Sequence, residues 1–309
     1  MAIIQKSKQA EMSAALRRLR SFLDKNEPEL VYFLVTFWHN QGKAITYKEL
    51  REAILVGDLS VNYLLDWQQD YSNFVTAYLL PKWLDAMENA NIERMKKHPG
   101  WLFDPFADGV RQWTETRSAS FVTEVTDTQF LGLRAVVQQA AVLEEMTVDQ
   151  LSRAIRPMVG LTHPQAVANM KYFTNLIANG VPEKRAQDLS LRYAARQHRY
   201  RGYNIARTEL AFAYNQGGYE GTKQAQEKGY MGRTEKTWCT ADDERVCEIC
   251  GQLDGVTIGM DDDFDFSTKL AVPANPTIRR VPPAHPSCRC AVMYKEVEPP
   301  IWMPGEKGL

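Results

Sequence analysis

The sequence predicts a mainly α-helical protein that closes in a small C-terminal α+β module. Three observations carry that expectation. Apolar residues recur at helical spacing, behind capping boxes, from the start to about residue 225. After Gly229 the pattern changes to short extended stretches punctuated by proline and glycine. All five cysteines of the 309-residue chain lie beyond residue 238.

The elements follow in order. Leu16, Leu19, Phe22 and Leu23 keep helical spacing beside Arg17, Arg18 and Arg20. The apolar run Leu30 to Trp38 is too short to span a bilayer and reads as a buried helix. Thr46 and Glu49 form a capping box ahead of Leu50, Ile54 and Leu55. Ser60 is placed to cap a helix carrying Val61, Leu64, Leu65 and Trp67, which Pro81 should kink or restart. Arg94, Lys96, Lys97 and His98, followed by Pro99-Gly100, read as a helix stop, since cations suit the negative end of the dipole.

The breaker-rich stretch 99–109 sets a boundary, giving an N-terminal helical domain over 1–104 and a helical bundle over 105–235. Within the bundle, Thr126 with Gln129 and Thr147 with Gln150 are expected capping boxes, and Thr162 to Gln165 opens a further helix. That helix buries Val167, Met170, Phe173, Leu176 and Ile177 and ends at Gly180-Val-Pro182. A long helix from about Pro182 to Asn215 follows, with Gly217-Gly218 as its expected stop. A module over 236–297 carries strands near 236–238, 256–258 and 291–294, and 298–309 reads as an extended tail.

Net charge is −1 and the apolar fraction is ordinary, which argues against a strongly basic nucleic-acid binder but leaves room for a local patch. The polar start lacks an apolar leader, so the chain is expected to fold in a reducing cytoplasm, where clustered thiols bind metal rather than pair as disulfides. HExxH, GxSxG, Walker A and GxGxxG patterns are all missing, so no enzyme is predicted. His39, His98 and His163 sit apart and read as ordinary side chains.

The thiols carry the chemistry. Cys247-Glu-Ile-Cys250 is answered by His285-Pro-Ser-Cys288-Arg-Cys290, the spacing of a tetrahedral zinc site. Cys247 and Cys250 can share one ion from a tight turn. His285, Cys288 and Cys290 offer three candidates for the other two corners, and His285 is either a ligand or a hydrogen-bond donor behind one. A closed four-ligand site would be structural, stapling a segment with few large apolar residues. The competing reading is free thiols in a packed core. Cys239 is spare and reads as a small buried thiol.

Three further features were weighed. The run Asp261 to Ser267 spaces oxygens like a calcium loop, but Phe266 stands where Gly is needed and Val272 where Glu is needed, so it reads as a solvated acidic loop. The helix after Pro182 is rich in base, with Lys184, Arg185, Arg192, Arg196, Arg199 and Arg201 among tyrosines. It reads either as a surface for DNA phosphates or an acidic partner, or as a solvated face with some arginines paired internally. A zinc-stapled nuclease with His285 as general base is the enzymatic alternative, and a plain DNA-binding module a third.

Ile205-Ala-Arg-Thr-Glu209, Trp238, Asp243 to Cys250, Gly255, and Pro282 to Cys290 together resemble the Mu F-type phage head morphogenesis family, over about 105–296. The resemblance implies a structural, non-enzymatic minor head protein of a tailed bacteriophage, placed inside the virion head near the portal vertex. It implies portal protein, major capsid protein or scaffold, and packaged double-stranded DNA as partners, with no membrane, and a part in head assembly, DNA packaging or ejection. It also implies that Cys247, Cys250, His285, Cys288 and Cys290 are metal-binding positions. Arg207, Thr208 and Glu209 match the family's helix motif, which we read as an Arg–Glu polar anchor between the helix and the zinc module.

Overall fold

Helices carry the chain as far as Glu227, and a three-stranded sheet follows. The computed structural model describes residues 2–241, 246–265 and 280–300. The helices are α1 (Ala2–Ala44), α2 (Tyr47–Val56), α3 (Asn62–Phe74), α4 (Leu80–Lys97), α5 (Asp108–Ala141), α6 (Val148–Ile155), α7 (His163–Ala178) and α8 (Glu183–Glu227). Strand β1 (Thr234–Cys239), helix α9 (Glu248–Leu253), β2 (Thr257–Gly259) and β3 (Ala291–Glu296) complete the described elements. The sheet order is β2-β1-β3, all antiparallel, with Lys236 opposite both Ile258 and Tyr294. The mainly helical class with a small C-terminal sheet is therefore as the sequence predicts. Most of the expected tail 298–309 lies outside the described residues, as do Phe266, Ser267 and Val272 of the acidic run and residues 243–245. No helix among the described residues is long and apolar enough to cross a membrane.

Local signals set most helix ends. Thr46 and Thr147 each accept the N3 amide while Glu49 and Gln150 reach back, and Thr162 N–H donates to Gln165. Gly57, Gly100 and Gly180 take positive φ after α2, α4 and α7. Two expectations fail for tertiary reasons, at Thr126 and at Gly217-Gly218. Thr126 caps nothing, since α5 runs unbroken through it with its hydroxyl buried. At Pro81 the α-helical pattern is interrupted, as expected of a proline. A π turn over Val75–Leu79 precedes it, the Leu80 N–H reaching Val75 O, and the helix continues. Gly217-Gly218 does not stop α8. A Cβ at Gly217 would overlap the Met87 backbone, so these glycines serve close approach to α4, where Asn91 Nδ2–H donates to Gly217 O at 2.8 Å.

The chain divides into two compact units, each drawn from separated stretches. Unit 1 comprises Met1–Pro28, Pro81–Thr114 and Asn204–Leu309. Its helical core runs from Trp83 through Trp113 to Phe212, edge to face at 5.4 and 5.3 Å. Unit 2 comprises Glu29–Leu80 and Glu115–Tyr203. There Leu30, Leu34 and Trp38 are fully buried on one face of α1. Trp38 Nε1–H donates to Tyr71 Oη (2.7 Å), which donates to Gln129 (2.6 Å), which donates to Gln41 (3.2 Å), which donates to Asp70 (3.0 Å). Such a chain leaves no link unsatisfied inside an apolar core.

His198 of unit 2 stacks on Trp38 at 5.6 Å and donates from Nε2 to Val159 O at 2.7 Å. Burial disfavours its cation and pushes its pKa down to about 4. Neutral His198 therefore supports the fold fully above the ordinary value near 6.5, and that support is lost as pH falls toward the folded value. Relative to His198→Gln, the wild type should lose about 2–3 kcal/mol of unfolding free energy between roughly pH 7 and pH 4.5, measurable by urea melts at both. A gap that does not move with pH would contradict this assignment.

Candidate metal centre

Cys247 is the N-cap of α9, and its Sγ accepts the Cys250 N–H at 3.4 Å. That turn aims both sulfurs to one side. The second arm is the turn His285 to Cys288, closed by Cys288 N–H onto His285 O at 3.2 Å. Ser287 takes φ 60°, a left-handed conformation uncommon for serine. Thr208 and Asn204 of α8 hold it there: Ser287 N–H donates to Thr208 Oγ1 and Ser287 Oγ–H to Asn204 Oδ1, both at 2.8 Å. Cys290 follows, and Asn215 of α8 clamps the backbone around it. The Asn215 amide donates to Cys290 O (3.2 Å) and accepts from Val292 N–H (3.1 Å).

The two arms meet. Cys247, Cys250 and His285 bring their ligand atoms within 4.8 Å of one another, as do Cys250, Cys288 and Cys290. Cys250 belongs to both sets. His285 Nε2 lies 3.0 Å from Cys247 Sγ and 3.5 Å from Cys250 Sγ, and Cys250 and Cys288 are 3.7 Å apart. Tetrahedral zinc with bonds near 2.3 Å to sulfur and 2.0 Å to nitrogen would set sulfur–sulfur and sulfur–nitrogen edges of about 3.8 and 3.5 Å. The donor set and its spacing fit a metal ion. His285 Nδ1–H donates to Pro286 O at 2.9 Å, which turns the bare lone pair of Nε2 toward the sulfurs.

Surroundings match that reading. Cys250, Cys288 and Cys290 are buried with Trp238, Leu253, Phe264 and Ala284 in a small core, where Trp238 and Phe264 meet edge to face at 5.1 Å. Hydrogen bonds from Cys250 and Cys290 hold the Cys288 thiol well below its ordinary range. The bond to Cys288, that to Cys290 and burial push Cys250 up. Crowded sulfurs ionise together only when a cation neutralises them. Cys239 belongs to neither set. It is fully buried, donates to Thr237 O at 3.5 Å, and is pushed up to about 12 by burial, as expected of an inert thiol.

Arg207 forks onto Glu27 of α1, with both N–O distances 2.8 Å, and Glu209 is buried. The described link to the cysteine turn runs through Thr208. Asn204 and Asn215 were missed by sequence reading. Their signal is spacing: residues 204, 208 and 215 share one helix face. Tyr219 and Lys223 extend that face, both reaching Asp261, at 3.0 and 3.1 Å. The acidic run is thus partly neutralised, with Arg280 also 3.5 Å from Asp263.

In unit 2, Lys184, Arg185, Arg192, Arg196 and Arg199 are exposed on α8, and none is in an ion pair among the described residues. At 100° per residue, Arg185, Arg192, Arg196 and Arg199 fall within an arc of roughly 60°. Arg201 does not join them. It is buried, its guanidinium donating to Gly160 O and lying 5.1 Å over the Trp38 ring, so it is a core residue and not part of a binding face.

Removing the clamp should be costly. Asn215→Ala leaves a buried carbonyl and amide unpaired, and a loss of about 2–3 kcal/mol in denaturant melts is expected. A loss under roughly 0.5 kcal/mol, the level of a neutral surface change, would show that the clamp is dispensable.

Residues 141–293 match the model of the family described as Phage Mu protein F like protein. No curated protein and no solved structure matches the chain. The matched segment contains α6 to α8, β1, α9, β2, the first half of β3 and all five ligand-type residues. Over that segment the chain is similar to the phage Mu protein F like family.

Proposed function

We propose that this chain is a structural minor head protein of a tailed bacteriophage whose C-terminal module is stapled by one zinc ion. The family is one of phage head morphogenesis, which supports a virion component and a non-enzymatic role. The observation that carries the zinc reading is the meeting of two distant arms on Cys250. Nitrogen and sulfur donors at tetrahedral spacing select zinc over calcium or magnesium. The geometry favours His285 as ligand over general base, because Nδ1 is spent on Pro286 O and Nε2 faces sulfur.

The partners we propose are the portal protein and the inner capsid, with packaged DNA or an acidic partner surface on the arginine arc of α8. Four unpaired guanidinium groups within one arc suit a row of phosphates or carboxylates. The chain would then assist head assembly, DNA packaging or ejection from inside the head, near the portal vertex.

Elemental analysis of the purified full chain should find one zinc per chain. Cys250→Ser should abolish it and lower stability by several kcal/mol, on the scale of structural zinc energies. Unchanged metal content in that variant would end the assignment. For partners, a pull-down with portal protein should retain the chain. If DNA is the ligand of the arc, Arg196→Ala with Arg199→Ala should flatten the slope of log K against log salt by about 2. DNA cleavage by the zinc-loaded protein that His285→Ala abolishes without loss of zinc would overturn the structural reading.

A further inference from the structure

Arg94 of α4 is a cation without an anion. Its guanidinium donates to Asn91 Oδ1, to Gly218 O at 3.2 Å and to Thr222 Oγ1, all neutral. The Trp101 and Tyr294 rings flank it at 5.8 and 5.6 Å. No carboxylate of the described residues lies within ion-pair distance of it. Three of the five N–H groups of the guanidinium are used in these bonds. Burial pushes its pKa down to about 10, as befits a charge removed from water without a counter-ion.

Arg94 lines a cleft of about 130 Å³ within unit 1, bounded by α1, α4, α8 and β3. Arg18, Lys97 and His98 line the same cleft. Glu93 is the single acid there, and its carboxylate is held by Lys96 at 2.7 Å. Three fixed positive charges thus face one committed negative charge. The Tyr214 and Tyr294 side chains form part of the same wall. The volume is far below that of a pocket for a drug-sized molecule, and is of the size for one oxyanion with its water.

We propose that this cleft binds a single phosphate-class oxyanion, with Arg94 as its inner positive charge and Arg18 and Lys97 as its outer cations. The inference is independent of the metal centre and of the arginine arc in unit 2. The phosphate comes either from a nucleic-acid backbone or from the free inorganic ion. Two guanidinium groups and a flexible ammonium lining one small cleft suit the charge and the several acceptors of a tetrahedral oxyanion.

Titration of the full, zinc-loaded chain with inorganic phosphate, followed by calorimetry and thermal melts against sodium chloride of equal ionic strength, tests this. Phosphate should bind saturably and raise the melting temperature above the chloride control. Arg18→Gln with Lys97→Gln, both exposed, should fold normally by circular dichroism and bind phosphate at least tenfold more weakly. Arg94→Gln, which removes the inner charge, should also weaken it. A short DNA duplex displaced by phosphate from this cleft identifies the backbone as source, while phosphate binding without such competition identifies the free ion. A melt that responds equally to phosphate and chloride, or a double variant that binds as the wild type does, overturns the proposal.

Discussion

The C-terminal module keeps its shape because one face of α8 holds it at successive helical turns. Asn204 and Thr208 fix the His285–Cys288 turn, Asn215 fixes the chain at Cys290, and Tyr219 and Lys223 fix Asp261. A helix is a good ruler for this purpose, since polar side chains spaced by three or four residues stand in register along one side. Arg207, a residue before Thr208, grips Glu27 of α1. The same stretch of α8 therefore faces the core of unit 1 with one side and the cysteine arm with another.

Much of this was legible in the sequence where the cause is local. The caps at Thr46 and Thr147 need only a hydroxyl and a Glu or Gln three residues on, and both form. The cysteine cluster was legible because metal-ligand spacing is a covalent constraint that few other arrangements share. What failed was whatever depends on a distant partner. Thr126 has the capping pattern, but α5 passes through it because its neighbours hold it in an unbroken helix. Gly217 and Gly218 look like a stop until Met87 is seen where a side chain would have to go. Arg201 looks like its exposed neighbours in the chain, yet one turn of helix puts it under Trp38.

Buried cations show the same logic in two forms. Arg201 is satisfied by a carbonyl and an indole face, with His198 kept neutral beside it. A neutral imidazole next to a guanidinium avoids the repulsion that two buried cations would bring. Lys236, fully buried in β1, donates to Met260 O at 2.8 Å and lies between the Tyr219 and Phe264 rings. Asp261, Asp262 and Asp263 stand near enough to raise its pKa, although burial wins and lowers it to about 8. The acidic run thus compensates a buried lysine, which gives those three aspartates a structural reason that the sequence did not reveal.

The division of labour between α8 and the metal follows from chain entropy. Thr208 and Ser287 are 79 residues apart, and closing a loop of that length costs about 4–5 kcal/mol. Four hydrogen bonds from Asn204, Thr208 and Asn215 to the second arm contribute about 1 kcal/mol each, a sum of similar size. The helix therefore offsets the cost of bringing the arm home before any ion binds. What a metal then adds is not spent on finding the second arm, and goes into holding a core of Trp238, Phe264 and Leu253 that is too small to hold itself.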